Sequence, residues 1–233
     1  MISVNLVERI NNRYYWDMIF VNFKTYHQGT GEAAVKLAKV CQSVAKKTSL
    51  EITPVVQAVD IFRLAQAGFT VWSQHVDDIE PGPNTGQVLA EAVLAAGVKG
   101  TILNHSENKI PSEMVKTITS RCSELNIKTM VIAASVEEAR EVIEGKPDFL
   151  AYEPPEFIGS QTSSVSVAKP EVVKNFVKEF SNLPVLIGAG INNQEDVRIA
   201  IGLGAKGVLV SSDVVSAQEP EKELMDLAKG FSQ

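Results

Sequence analysis

The chain has 233 residues, 45% of them hydrophobic, 21% charged and 6% aromatic, and its 22 basic and 28 acidic side chains give a net charge of −6. A chain of this size builds a substantial core as one large domain or two small ones, and its scattered Lys and Arg leave no basic footprint for nucleic acid or an anionic membrane. Cys41 and Cys122 share no metal-ligand or disulfide spacing, no apolar run reaches the roughly 20 residues of a membrane span, and Glu8, Arg9, Arg13 and Asp17 interrupt any signal peptide, so a soluble cytoplasmic protein with buried thiols is expected.

In chain order, residues 1–17 read as an N-terminal extension, disordered or loosely packed around Tyr14-Tyr15-Trp16, with Met18 as an alternative start. A single domain over 18–233 follows. It opens with an apolar run at Ile19, and further Val- and Ile-rich runs begin near Ile52, Thr70, Gly100, Thr129, Phe149, Pro184 and Gly207. Amphipathic helical patterns lie between them. The clearest are Glu32 to Lys47, with Val35, Leu37, Ala38, Val40, Cys41 and Val44 on one side, and Pro111 to Leu125, where Pro111 suits the first turn. Eight strand–helix units at about 27 residues each predict an α/β fold, a closed (βα)8 barrel. The rival open, doubly wound sheet would need a G-x-G-x-x-G turn after the first strand, and there is none.

In such a barrel the active site forms beyond the carboxyl ends of the strands, and those ends are polar here. The first run ends in Asn22-Phe23-Lys24, the third in Gln74-His75, the fourth in Asn104-His105-Ser106-Glu107, the sixth in Glu153, the seventh in Gly188-Ala189-Gly190 and the eighth in Ser211-Ser212. A lysine, a histidine and a glutamate on one rim suit acid–base chemistry. Together with Tyr152-Glu153-Pro154-Pro155-Glu156-Phe157-Ile158-Gly159, the first and fourth of these segments resemble the triosephosphate isomerase family, above all its short archaeal branch. The runs Ser73-Gln74-His75-Val76-Asp77, Glu80-Pro81-Gly82, Thr85-Gly86, Gly188-Ala189-Gly190-Ile191 and Gly207-Val208-Leu209-Val210 are similar to the same branch. The resemblance extends from Met18 to the C-terminus.

What the resemblance implies is a TIM barrel that interconverts dihydroxyacetone phosphate and D-glyceraldehyde 3-phosphate through an enediolate, in glycolysis and gluconeogenesis, without metal or organic cofactor. It makes Glu153 the base, His105 the electrophile, Lys24 the cation facing phosphate and enediolate, Asn22 a positioning group beside the substrate, and Glu107 a supporting carboxylate. Phe23, Ile158, Gly159, Gly190, Ser211 and Ser212 complete the implied substrate contacts, and Pro154 to Lys169 forms the closing lid. A homo-oligomer is also implied, at least a dimer with a tetramer favoured, in which the loop His75 to Gly86 enters the partner. Two residues depart from the family pattern. Gln161 replaces the second glycine of the lid, and Asp213 stands where a small neutral residue is usual. Asp213 either repels the phosphate or, as expected here, turns outward to cap the short helix that follows. An isomerase for another small sugar phosphate and a non-catalytic, phosphate-binding paralogue stay open as alternatives.

Overall fold

Eight parallel strands pair in chain order, and the last returns to the first: β1 (Met18–Asn22), β2 (Glu51–Val56), β3 (Trp72–Ser73), β4 (Gly100–Leu103), β5 (Lys128–Ala133), β6 (Phe149–Tyr152), β7 (Val185–Ile187) and β8 (Gly207–Val210) close a barrel. The register β1 to β8 runs from Met18 opposite Gly207 to Val21 opposite Val210. This computed structural model describes residues 17–157 and 164–232; the expectations for Tyr14-Tyr15-Trp16 and the extension fall outside them, apart from Asp17.

The helices are α1 (Gly31–Thr48), α2 (Ala58–Gln66), α3 (Ala90–Ala95), α4 (Ser112–Glu124), α5 (Val136–Val142), α6 (Val165–Ala168), α7 (Pro170–Glu179), α8 (Gln194–Gly202), α9 (Ser212–Val215) and α10 (Pro220–Lys229). Most lie where the apolar period of 3.6 puts one stripe against the strands. In α1 that stripe is Ala34, Leu37, Ala38, Cys41 and Val44, all buried. The start of α1 has a cap from elsewhere in the chain. Both carboxylate oxygens of buried Asp60, on α2, accept from the Gly31 N–H at 3.1 and 3.0 Å.

Strand alternation divides the core in two. Outward residues such as Ile19, Val21, Leu103, Val131 and Val208 join the helices in one continuous layer. Inward residues, including Phe20, Val55, Trp72, Ile102, Met130, Ala151, Leu186 and Leu209, fill the barrel. Phe20 meets Trp72 edge-on at 4.8 Å between ring centroids, and Phe149 closes the cluster 5.7 Å from Trp72.

Two sequence readings need correction. The strand expected from Thr70 pairs only at Trp72 and Ser73, because the Ser73 hydroxyl donates to the His75 carbonyl at 2.7 Å and turns the chain away. That short partner also explains Pro54 inside β2: the ladder to β3 reaches only Val55 and Val56. Pro111 stands at the N-cap of α4 rather than within its first turn.

Candidate active site

Continuing the inward alternation one step past the apolar layer leads from Phe20 to Asn22, from Trp72 to Gln74, from Ile102 to Asn104, from Ala151 to Glu153, from Leu186 to Gly188 and from Leu209 to Ser211. Apolar filling below and polar or small residues above give the barrel one wet end.

Lys24 lies just beyond β1 with φ of 44°, a left-handed conformation that needs support in a lysine. Both of its flanking peptides are held. Its N–H donates to the Asn22 side chain at 3.0 Å, and its carbonyl accepts from the Gln74 side chain at 2.9 Å. The ammonium is then aimed at Glu107, with Nζ to Oε1 at 2.6 Å. Asn22 is thus buried beneath the lysine it orients.

His105 and Glu107 share the loop after β4. The Glu107 N–H donates to His105 Nδ1 at 3.1 Å, which makes Nδ1 the acceptor and leaves the ring proton on Nε2. Burial and then the positive charge of Lys24 push His105 down to about 4, so the imidazole is neutral across the physiological range.

Glu153 follows β6 and is 5% exposed. Burial raises its carboxyl to about 7, while Lys24 pulls the other way. Its Oε2 lies 3.5 Å from His105 Nε2 and makes no hydrogen bond. A buried carboxylate oxygen without a donor is a strong base relative to one in water. Its room comes from Gly188: a Cβ there would fall 2.2 Å from Glu153 Oε1.

Beyond the neighbouring strand β7, Gly190 has φ of 70° and is buried, its carbonyl accepting from the Asn192 side chain at 2.9 Å. Ser211 precedes α9, and its hydroxyl donates to the Asn22 carbonyl at 2.8 Å, joining the two ends of the barrel chain. The expected capping by Asp213 is corrected here. Ser211 occupies the N-cap and Ser212 opens the helix, with Asp213 second in the first turn. Burial raises its carboxyl, and the neighbouring Asp196 adds to this, against its own backbone N–H and Ser212. Phe23 is fully buried in the outer core layer. Ile158, Gly159 and Gln161 lie outside the described residues. The two sides of that segment are linked by Lys169 to Glu156 at 2.7 Å, with the ammonium 5.3 Å from the Phe157 ring.

The structure therefore brings Asn22, Lys24, His105, Glu107 and Glu153 together. The sequence reading marked Gln74, Asn104 and Gly188 as strand-end residues without giving them a role, and it overlooked Lys109 and Glu138. The alternation above is the signal that points to the first three. Lys109, whose charge reaches both His105 and Glu153, had no such signal. Among the described residues, no three His, Cys, Asp or Glu side chains are grouped to hold a metal ion, and no helix is long and apolar enough to cross a membrane.

The sequence and the fold are similar to those of known proteins. The family model for triosephosphate isomerase matches residues 17–230. The triosephosphate isomerase of Methanocaldococcus jannaschii is 36% identical over 217 residues, 91% of this chain and 99% of that protein. That of Methanothermus fervidus is 40% identical over 215 residues, 90% and 96% of the two chains. A crystal structure of the triosephosphate isomerase from Bartonella henselae superposes with a TM-score of 0.73 at 17% identity, covering 93% of this chain and 99% of that one, a likeness of fold.

Proposed function

The chain belongs to the triosephosphate isomerase family, whose reaction is the interconversion of dihydroxyacetone phosphate and D-glyceraldehyde 3-phosphate, and from that premise we propose how its residues divide the work. Glu153 removes a proton from the carbon beside the substrate carbonyl and returns it to the neighbouring carbon. His105 donates its Nε2 proton in a hydrogen bond to the carbonyl oxygen as negative charge develops there. A neutral donor suits this role because it can hand the proton between the two enediolate oxygens and recover it. Lys24 supplies the positive charge that the enediolate and phosphate need in an otherwise acidic molecule. Asn22 and Glu107 hold that lysine at backbone and ammonium, and Phe23 anchors the turn between them in the core.

The phosphate is assigned to the backbone N–H groups of Gly190, Ser211 and Ser212, with Ile158 and Gly159 as further substrate contacts on the strength of the family likeness. Asp213 lies in the first turn of α9, where its charge meets the helix dipole favourably. No metal or organic cofactor enters this scheme. Residues 18–233 act as one catalytic domain, in the cytoplasm, at a step shared by glycolysis and gluconeogenesis. A homo-oligomer of at least two copies, with a tetramer favoured by family likeness alone, has apolar surface available to it: Val59 and Phe62 on α2 are 80% and 60% exposed, one unit away from the loop His75 to Gly86.

The observation that carries the mechanism is the unpartnered Glu153 oxygen 3.5 Å from Nε2 of a neutral imidazole. Coupled-enzyme assays of triose phosphate turnover test it directly. Glu153→Gln and His105→Gln are each expected to lose about 10²- to 10⁴-fold in kcat. Parent-like turnover in either variant removes that residue from its role.

A further inference from the structure

The end of β5 contributes only Ala133-Ala134-Ser135 to the rim, which offers substrate no functional side chain beyond a hydroxyl. Its backbone is nevertheless where base and electrophile meet a common frame. The Glu153 N–H donates to the Ala133 carbonyl at 2.9 Å, and the Asn104 side chain donates to the Ile132 carbonyl at 2.9 Å. The Ala134 N–H donates to Glu138 Oε2 at 2.6 Å.

Glu138 belongs to the first turn of α5, three residues after the N-cap Ser135, whose hydroxyl accepts the Glu138 N–H at 3.1 Å. This is the spacing of a capping box, in which the glutamate turns back toward the N-cap N–H. Here the carboxylate reaches one residue further, to Ala134, and Oε1 extends to the neighbouring unit. It accepts from Asn104 Nδ2 at 2.7 Å and from Lys109 Nζ at 2.5 Å. Asn104, buried and left-handed at φ of 61°, also accepts the Ile110 N–H at 3.2 Å. One amide thus ties the two ends of the loop 104–110 together, and one carboxylate ties that loop to β5 and α5. His105 follows Asn104 directly, and its ring is oriented from within the same loop by the Glu107 N–H.

We propose that Glu138 is a positioning residue for the reaction: through Asn104 and Lys109 it locks the His105 loop to the strand end that also seats Glu153, and so sets the gap between imidazole and carboxylate. The proposal rests on the reading of His105 as the electrophile. Nothing in it requires Glu138 to touch substrate. Its effect is on geometry, and small displacements of a catalytic group cost turnover more than affinity.

Steady-state kinetics on the full chain test this with Asn104→Gly, Glu138→Ala and the double variant, each in the parent and in the His105→Gln background. Glycine keeps the left-handed backbone available, so Asn104→Gly removes the clamp without forcing the loop to refold and carries the test if Glu138→Ala folds poorly. Each single change is expected to lower kcat about 10- to 100-fold with KM altered less than about threefold. Because the two residues act as a unit, the double variant should be within about threefold of the worse single, and Asn104→Gly should cost less than about threefold once His105 is gone. A kcat for Asn104→Gly within twofold of the parent, or an undiminished loss in the His105→Gln background, overturns the proposal. Parent-like turnover of His105→Gln itself overturns the electrophile reading, and this proposal with it.

Discussion

Glu153 combines two properties that pull against each other: it is buried deeply enough to be a strong base, and for the same reason it holds a proton more readily than a surface carboxylate. With its carboxyl raised to about 7 and His105 depressed to about 4, the active ionisation state of the free protein has Glu153 charged and His105 neutral. That state is lost as pH falls through 7 and is not limited by His105 in this range. The profile of kcat/KM against pH is therefore expected to show a single-proton acid limb near pH 7, falling about tenfold per unit below it. A limb near the ordinary carboxylate value would mean that the site is wetter than described. Gly188 gives a second test at this scale. Its φ is not left-handed, so alanine suits the backbone, but the new Cβ would occupy the place of the Glu153 carboxylate. Gly188→Ala is expected to lower kcat about 10- to 100-fold with little change in thermal midpoint; unchanged kcat would show that the carboxylate can work from elsewhere. Lys24, His105 and Glu153 were legible in the sequence because their side chains carry the chemistry. The strand alternation marks the positions of Asn104, Gln74 and Gly188 but not their roles, because they act on backbone or by leaving space. Glu138 reads locally as an ordinary capping residue, and its contact 34 positions away exists only once units four and five are side by side.

Among the elements, the eight strand–helix units were readable because burial on both faces makes parallel strands continuous apolar runs while the covering helices keep one wet face. What could not be read were features set between elements. β3 is cut to two residues by a side-chain bond to its own following carbonyl, and Gly100 is required opposite it because a Cβ there would lie 2.4 Å from the Trp72 ring. The start of α1 likewise depends on Asp60, 29 positions away, rather than on Thr30, which makes no side-chain cap. Removing that bidentate acceptor leaves the Gly31 N–H without its partner, so Asp60→Ala is expected to destabilise the fold by about 1 to 2 kcal/mol. Urea denaturation monitored by circular dichroism measures this, and a change below about 0.3 kcal/mol would mean that water replaces the cap without loss.

For the molecule as a whole, the net charge of −6 places the demand for positive potential on very few groups. Lys24 supplies the nearest charge and Lys109 a more distant one, each tied to a carboxylate. Val59 and Phe62 on α2 are exposed, and the association of copies proposed above would give them a surface to cover. Light scattering of the full chain at micromolar concentration should give a mass of at least two chains; a monomer, active as such, would refute the pairing proposed above.

The hydrogen bond from the Ser211 hydroxyl to the Asn22 carbonyl spans 189 positions and joins the first unit to the last. The lysine side of the site is not joined to the proposed phosphate side until β8 has docked on β1, the pairing with the greatest separation in sequence and hence a large loop-closure cost. A nascent chain still awaiting its final strand lacks this bond and the closed ring around the site. During refolding, the return of turnover would then be among the last signals to recover, trailing helix content and aromatic burial, and catalysis itself becomes the reporter of ring closure.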